Sequence, residues 1–97
     1  MNVGVCRVKL RLPENQSLKG KRQVVKSIIT RVRNKHNVSI AEVDDQHLWQ
    51  LVTLGLVCVS NDARHVNETL SRVVDFIAHE RLDAEMLDYH IEILPVL

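Results

Sequence analysis

Residues Leu48 to Val59 read Leu-Trp-Gln-Leu-Val-Thr-Leu-Gly-Leu-Val-Cys-Val, almost without a polar residue. The run falls well short of the ~20 apolar residues of a membrane span. A strand with one wet face would alternate, so the run predicts a central strand covered on both faces. A central strand needs neighbours, and the rest of the chain supplies them. Val3 to Leu12 alternates from Cys6 onward: Cys6, Val8, Leu10 and Leu12 on one side, Arg7, Lys9 and Arg11 on the other. This is a half-buried strand. Val38 to Val43 reads as a short strand, joined to the central run by the polar hairpin Asp44-Asp45-Gln46-His47. Ala84 to Leu94 is the last strand, with Leu87, Tyr89, Ile91 and Ile93 on one face and Asp88, His90 and Glu92 on the other.

Two segments switch to helical spacing. Pro13-Glu-Asn-Gln breaks the first strand, Ser17 stands as an N-cap, and Val24, Val25, Ile28, Ile29 and Val32 predict a helix near 18–36. Gly20 occupies the position where a capping box would want Glu. Ser60-Asn61-Asp62 caps a second helix near 62–81, with Ala63, Val66, Leu70, Val73, Val74 and Ile77 on its apolar face. The order is β-α-β-β-α-β, and right-handed crossovers make it an α+β, ferredoxin-like sandwich. Its antiparallel sheet is expected in the order 4-1-3-2, with both helices on one face. At 97 residues, with 45% hydrophobic and 26% charged residues, the chain is expected to form one domain spanning 1–97. The absence of a signal-peptide h-region makes the cytoplasm the expected location. Cys6 and Cys58 fall in apolar runs, which favours buried free thiols over a disulfide.

Charge is divided along the chain. Residues 1–36 carry ten Lys/Arg and one acid, and residues 37–97 carry three Lys/Arg and eleven acids, so a net of +1 hides +9 against −8. Such asymmetry points to a polyanion partner, or to two halves that neutralise each other in the fold. The segment Ser17–His36 holds seven of the thirteen cations and no acid. Lys19, Arg22, Lys26 and Arg33 align as one stripe beside its apolar face, over about 21 Å. Lys19, Lys21, Arg22, Lys26 and Arg33 are therefore the candidate phosphate-contacting residues. Cations in the first helical turns oppose the helix dipole, so stability alone would not place them there. In the second helix, Arg64 to Glu68, Glu68 to Arg72 and Arg72 to Asp75 are spaced for local pairing, leaving the stripe without an obvious mate. Arg7, Lys9 and Arg11 should instead lie across from Asp88, His90 and Glu92 and be neutralised there.

Asn-Gln-Ser-Leu-Lys-Gly-Lys-Arg-Gln-Val-Val-Lys-Ser (15–27) resembles the Ser-Leu-Lys-Glu-Lys-Arg segment of the YlxP-like family of small bacterial proteins. Ala-Glu-Val-Asp-Asp-Gln-His-Leu-Trp-Gln (41–50), with Ser-Asn-Asp (60–62), resembles that family's second signature. The resemblance implies the same fold and a family of unknown function, whose genes commonly lie among those for transcription elongation, translation initiation and ribosome maturation. It transfers no catalytic or ligand residue. Gly20 replaces a Glu of the usual pattern, and His47 stands where Asp is more common.

Other chemistries find little purchase. His36, His47, His65, His79 and His90 show no metal-ligand spacing, and Gly4, Gly20 and Gly55 are too far apart for a phosphate loop. Glu42, Asp44, Asp45 and His47 could hold a cation, but such hairpin loops are more often simply solvated. No cofactor is expected and the protein is read as a non-enzyme. The aromatic block with which sandwiches of this topology stack RNA bases is absent. Strand three leaves an apolar set facing outward, either Trp49, Leu51, Thr53, Val57 and Val59 or the alternate residues, and this predicts self-association. The expected partners are RNA or the ribosome together with a second copy of the chain. The alternative is an acidic protein docked on the basic helix.

Overall fold

The computed structural model describes Met1–Leu97. Its elements are β1 (Asn2–Arg11), α1 (Leu18–Lys35), β2 (Ser39–Asp44), β3 (Leu51–Ser60), α2 (Ala63–Glu80) and β4 (Glu85–Pro95). The sheet has the order β2-β3-β1-β4, antiparallel at every pair, which is the ferredoxin-like arrangement expected from the sequence. Neither helix is long and apolar enough to cross a membrane.

Alternation decides which side of the sheet is dry. In β1, Cys6, Val8 and Leu10 point to the helices, and they pair in register with Leu56, Leu54 and Val52 of β3. These six join Val25, Ile28 and Val32 of α1 and Val66, Leu70, Val73, Val74 and Ile77 of α2 in one buried cluster. Both helices therefore cover the same face. Cys6 and Cys58 sit on these neighbouring strands, buried and free. Burial pushes the Cys6 thiol up to about 11 and raises that of Cys58, so both remain protonated at neutral pH.

Three local departures from simple alternation matter. β3 begins at Leu51, so Leu48–Gln50 belong to the hairpin and not to the strand. The register slips between Glu42 and Asp44, leaving Val43 lying across Gly55 on the outer face, where a Cβ would meet Val43 Cγ1 at 2.7 Å. A second slip, beside Lys9 and Leu10, sets Met86 opposite Leu10, so Leu87 is exposed and does not continue the face of Ile91 and Ile93.

Gly4 marks the closest approach of α2 to the sheet. A Cβ there would meet Val66 Cγ1 at 2.3 Å and Leu70 Cδ1 at 2.7 Å. Both of those side chains are fully buried and have no room to retreat. Gly4→Ala should accordingly destabilise the fold by about 1–3 kcal/mol, read as a lower urea midpoint with an unchanged slope. Gly4→Ala with Val66→Ala should recover part of the loss if the clash is the cause.

Candidate nucleic-acid interface

The first helix starts at Ser17, whose Oγ accepts from the Gly20 amide at 3.0 Å. The loop before the cap is tied to the β2–β3 hairpin. Asn15 Nδ2 donates to the carbonyls of Ser17 at 2.8 Å and Trp49 at 2.5 Å. Gln50 Nε2 donates to the carbonyls of Pro13 and Asn15, and the Leu12 amide to that of Gln50. The two sequence blocks, 15–27 and 41–50, thus meet in space as one hydrogen-bonded corner.

Lys21 is the centre of that corner, and this corrects its assignment to the phosphate-contacting set. Its side chain is only 1% exposed. Its ammonium donates to the Asp45 carbonyl at 2.5 Å and lies 3.0 Å from Glu42 Oε2. That oxygen receives no hydrogen bond, so the contact with Glu42 is one of charge, while the directed bond goes to the backbone. Asp45 has φ of 60°, a left-handed geometry that Asp tolerates, and its carboxylate accepts from the Thr53 hydroxyl at 2.7 Å. Thr53 is 1% exposed, so it is withdrawn from the outer apolar set as well. With Glu42 turned to Lys21 and Asp45 to Thr53, the acids of the hairpin do not converge on a common point.

The remaining members of the stripe are exposed. Arg22, Lys26 and Arg33 line one open groove of about 420 Å³ between α1 and β2, floored by Val25, Ile29 and Ile40. Arg33 reaches across it to donate to the Ile40 carbonyl at 3.1 Å on the free edge of the sheet. None of Lys19, Arg22, Lys26 and Arg33 has a carboxylate within 4 Å. Glu42 also lines the groove, but its charge is matched by Lys21. Lys19 stands exposed at the helix start, outside the groove.

Neutralisation elsewhere differs in detail from expectation. Arg7 and Lys9 lie opposite His90 and Asp88, as the topology required, but the ion pair within reach is Arg11 with Glu85 at 3.8 Å. On α2, Arg72 approaches Glu68 at 4.0 Å, whereas Asp75 pairs with His79 and not with Arg72. Arg31 finds Glu80 at the end of α2. The structure also assembles a group that spacing did not suggest: Lys35 and His36 at the end of α1 share a pocket with His65 and Arg72 of α2.

With fold and surface in place, the molecule is an α+β sandwich of the ferredoxin-like class presenting a basic groove at one sheet edge. Residues 3–91 match the family described as "Protein of unknown function (DUF503)", and the chain belongs to that family. It is similar to the Uncharacterized protein YlxP of Bacillus subtilis (strain 168), at 48% identity over 61 residues, 63% of this chain and 66% of that one. Among solved structures, the REP associates tyrosine transposase bound to a REP hairpin aligns with a TM-score of 0.52 at 13% identity. The match covers 99% of this chain and 58% of that one, and it is a likeness of fold.

Lys21→Met should destabilise the protein by about 3 kcal/mol, because it leaves the mostly buried Glu42 carboxylate without its cation and the Asp45 carbonyl without its donor. Arg22→Gln should stay within ~0.5 kcal/mol of the parent. Parallel urea titrations of the two variants separate the structural cation from the exposed one.

Proposed function

We propose that this protein is a non-enzymatic, cytoplasmic RNA- or ribosome-binding protein that lays a phosphate backbone along the groove between α1 and β2. The observation that carries the reading is the convergence of Arg22, Lys26 and Arg33 on one open groove, with no carboxylate left to neutralise them. Lys19 extends the positive track toward the helix start. Contacts of this kind position a protein on nucleic acid without reading its sequence. The central strands expose no aromatic side chain for base stacking, which favours backbone contact at the edge over recognition on the sheet. That a protein of the same fold is found with a REP hairpin is a precedent for the fold and carries no residue across.

A protein with three such contacts should bind a single strand with a log–log salt slope of about −2. Replacing Arg22 and Lys26 together by Gln should keep stability the same or raise it slightly, since Gln forms helix comparably and a like-charge pair at i, i+4 is removed. RNA affinity should fall and the slope should flatten by about one to two units. Unchanged affinity in a stable double variant would overturn the reading. The groove also borders an edge strand, so an extended acidic protein segment is the second reading. A complex that survives excess RNA would favour it.

A second copy is proposed to cover the outer sheet face. Val5, Val57, Val59 and Leu94 are all exposed there, on three adjoining strands, while Trp49 and Leu51 form a separate apolar end beside the hairpin. Apolar residues so gathered mark an interface. Light scattering at micromolar concentration should report a dimer or larger, and Val57→Lys should return it to a monomer without loss of fold. A parent that is already monomeric would exclude self-association.

A further inference from the structure

His36 ends α1 with its backbone amide bonded to the Val32 carbonyl, and its ring stands edge-on to Phe76 at 5.3 Å. Its Nε2 is shut off from solvent and has no hydrogen-bond partner. A buried polar atom left in that state calls for an explanation. The same imidazole lines a pocket of about 220 Å³, enclosed by the end of α1, the end of β3 and the first half of α2. Across from Lys35 and His36, α2 presents His65, Thr69 and Arg72, which the helical spacing i, i+4, i+7 sets on one face. The lining contains two fixed cations, two imidazoles and no carboxylate. Glu68 approaches Arg72 only at 4.0 Å, with about half of its side chain exposed, and does not line the pocket.

Size and charge narrow the ligand. The volume exceeds that of a few waters at ~30 Å³ each but lies below the ~300 Å³ at which pockets for drug-sized organic molecules begin. A metal ion is disfavoured, because Lys35 and Arg72 would repel it and the buried Cys58 thiol holds its proton. A small anion meets both cations at once and gives the Thr69 hydroxyl and the exposed His65 ring a partner. We propose that this pocket binds a phosphate group, with Lys35 and Arg72 supplying charge, His65 and Thr69 supplying hydrogen bonds, and the His36 ring in the wall sensing the ligand's charge. The inference is independent of the α1–β2 groove, which shares no residue with this pocket.

The groups that face His36 are Lys35 from α1, Arg72 and His65 from α2 and Cys58 from β3. Burial foremost, then the charges of Lys35 and Arg72, hold the His36 imidazole below its ordinary range, so it is neutral when the pocket is free. A bound dianion reverses the local field and favours the imidazolium. Phosphate binding should therefore drive His36 titration upward.

The test is a titration of histidine-labelled protein with inorganic phosphate, and separately with adenosine 5′-monophosphate, followed by the imidazole resonances at constant ionic strength. Saturable shifts are expected at His36 and His65 and not at His47 or His90, with the His36 titration moving to higher pH. Tighter binding of the nucleotide would identify the ligand as a phosphomonoester end, and equal or weaker binding as free phosphate. Arg72→Gln should weaken binding about tenfold, ~1.4 kcal/mol, while Arg64→Gln and the Arg22/Lys26 double variant leave it unchanged. Arg72 is well exposed and outside the core, so its variant should fold; Thr69→Val provides a second lesion with the charge retained. Linear, non-saturating shifts shared by all histidines, or parental affinity in both Arg72→Gln and Thr69→Val, would overturn the proposal.

Discussion

An ammonium group with 1% of its side chain exposed is a demanding thing to accommodate in a domain of this size. Desolvating Lys21 costs several kcal/mol before any partner is counted. The return comes from two groups held by different elements, the Glu42 carboxylate on β2 and the Asp45 carbonyl in the hairpin. The cation can thus be satisfied only when α1, β2 and the hairpin are assembled together. Asp45 in turn fixes Thr53 on β3, and Asn15 and Gln50 fasten the loop before α1 to the same hairpin. The groove depends on this corner, because the distance between α1 and the edge strand is set by the contact that Lys21 makes across it. Arg22 and Lys26 lie about 100° and 140° round the helix from Lys21, on the same side, so with Lys21 turned inward they flank the groove.

The architecture was legible from period alone. Strand alternation in Val3–Leu12, the unbroken run in β3 and the helical spacing of two segments leave few alternatives once crossover handedness is imposed. The burial of Lys21 was also legible and was masked by residue type. Lys21, Val25, Ile28 and Val32 stand at i, i+4, i+7 and i+11, and they are the buried residues of α1. Reading phase before chemistry would have set Lys21 in the core stripe and asked which acid it met. Thr53 follows the same pattern in reverse: it alternates outward with Leu51 and Val57, yet the bulge at Val43 and the Asp45 carboxylate cover it. Register slips are not visible to a two-residue period, which is why Leu87 was assigned to the wrong face. The pocket around His36 had no sequence signal, since Lys35 and Arg72 become neighbours only when α1 and α2 pack.

The opposite charges of the two halves are only partly spent on each other. Three first-half cations find a second-half carboxylate within 4 Å: Arg11 with Glu85, Lys21 with Glu42 and Arg31 with Glu80. The other pairs lie within the second half, where Arg81 and Asp83 hold each other and His90 turns to Glu92 on its own strand. Arg7 and Lys9 at least face His90 and Asp88 across the ladder. Lys19, Arg22, Lys26, Arg33 and Lys35 do not have that compensation, and all five belong to α1.

That residue distribution separates stability from binding within a single helix. The inward phase of α1 carries one cation, and it is the one with partners on two other elements. The remaining cations lie on phases that make no carboxylate contact, apart from Arg31 with Glu80. Apart from Lys19 at the helix start, they divide into two groups on either flank of the helix: Arg22, Lys26 and Arg33 toward β2, and Lys35 toward α2, where its ammonium lies 5.3 Å from the Phe76 ring. Exposed like charges on one helix repel, and screening at physiological salt largely removes the repulsion beyond ~8 Å but leaves it between nearer neighbours. A helix anchored by a buried ion pair can hold such charges in place, because its position does not depend on them. The fold thereby keeps a positive surface on each side of α1 that an anion can neutralise without disturbing the corner that holds the helix.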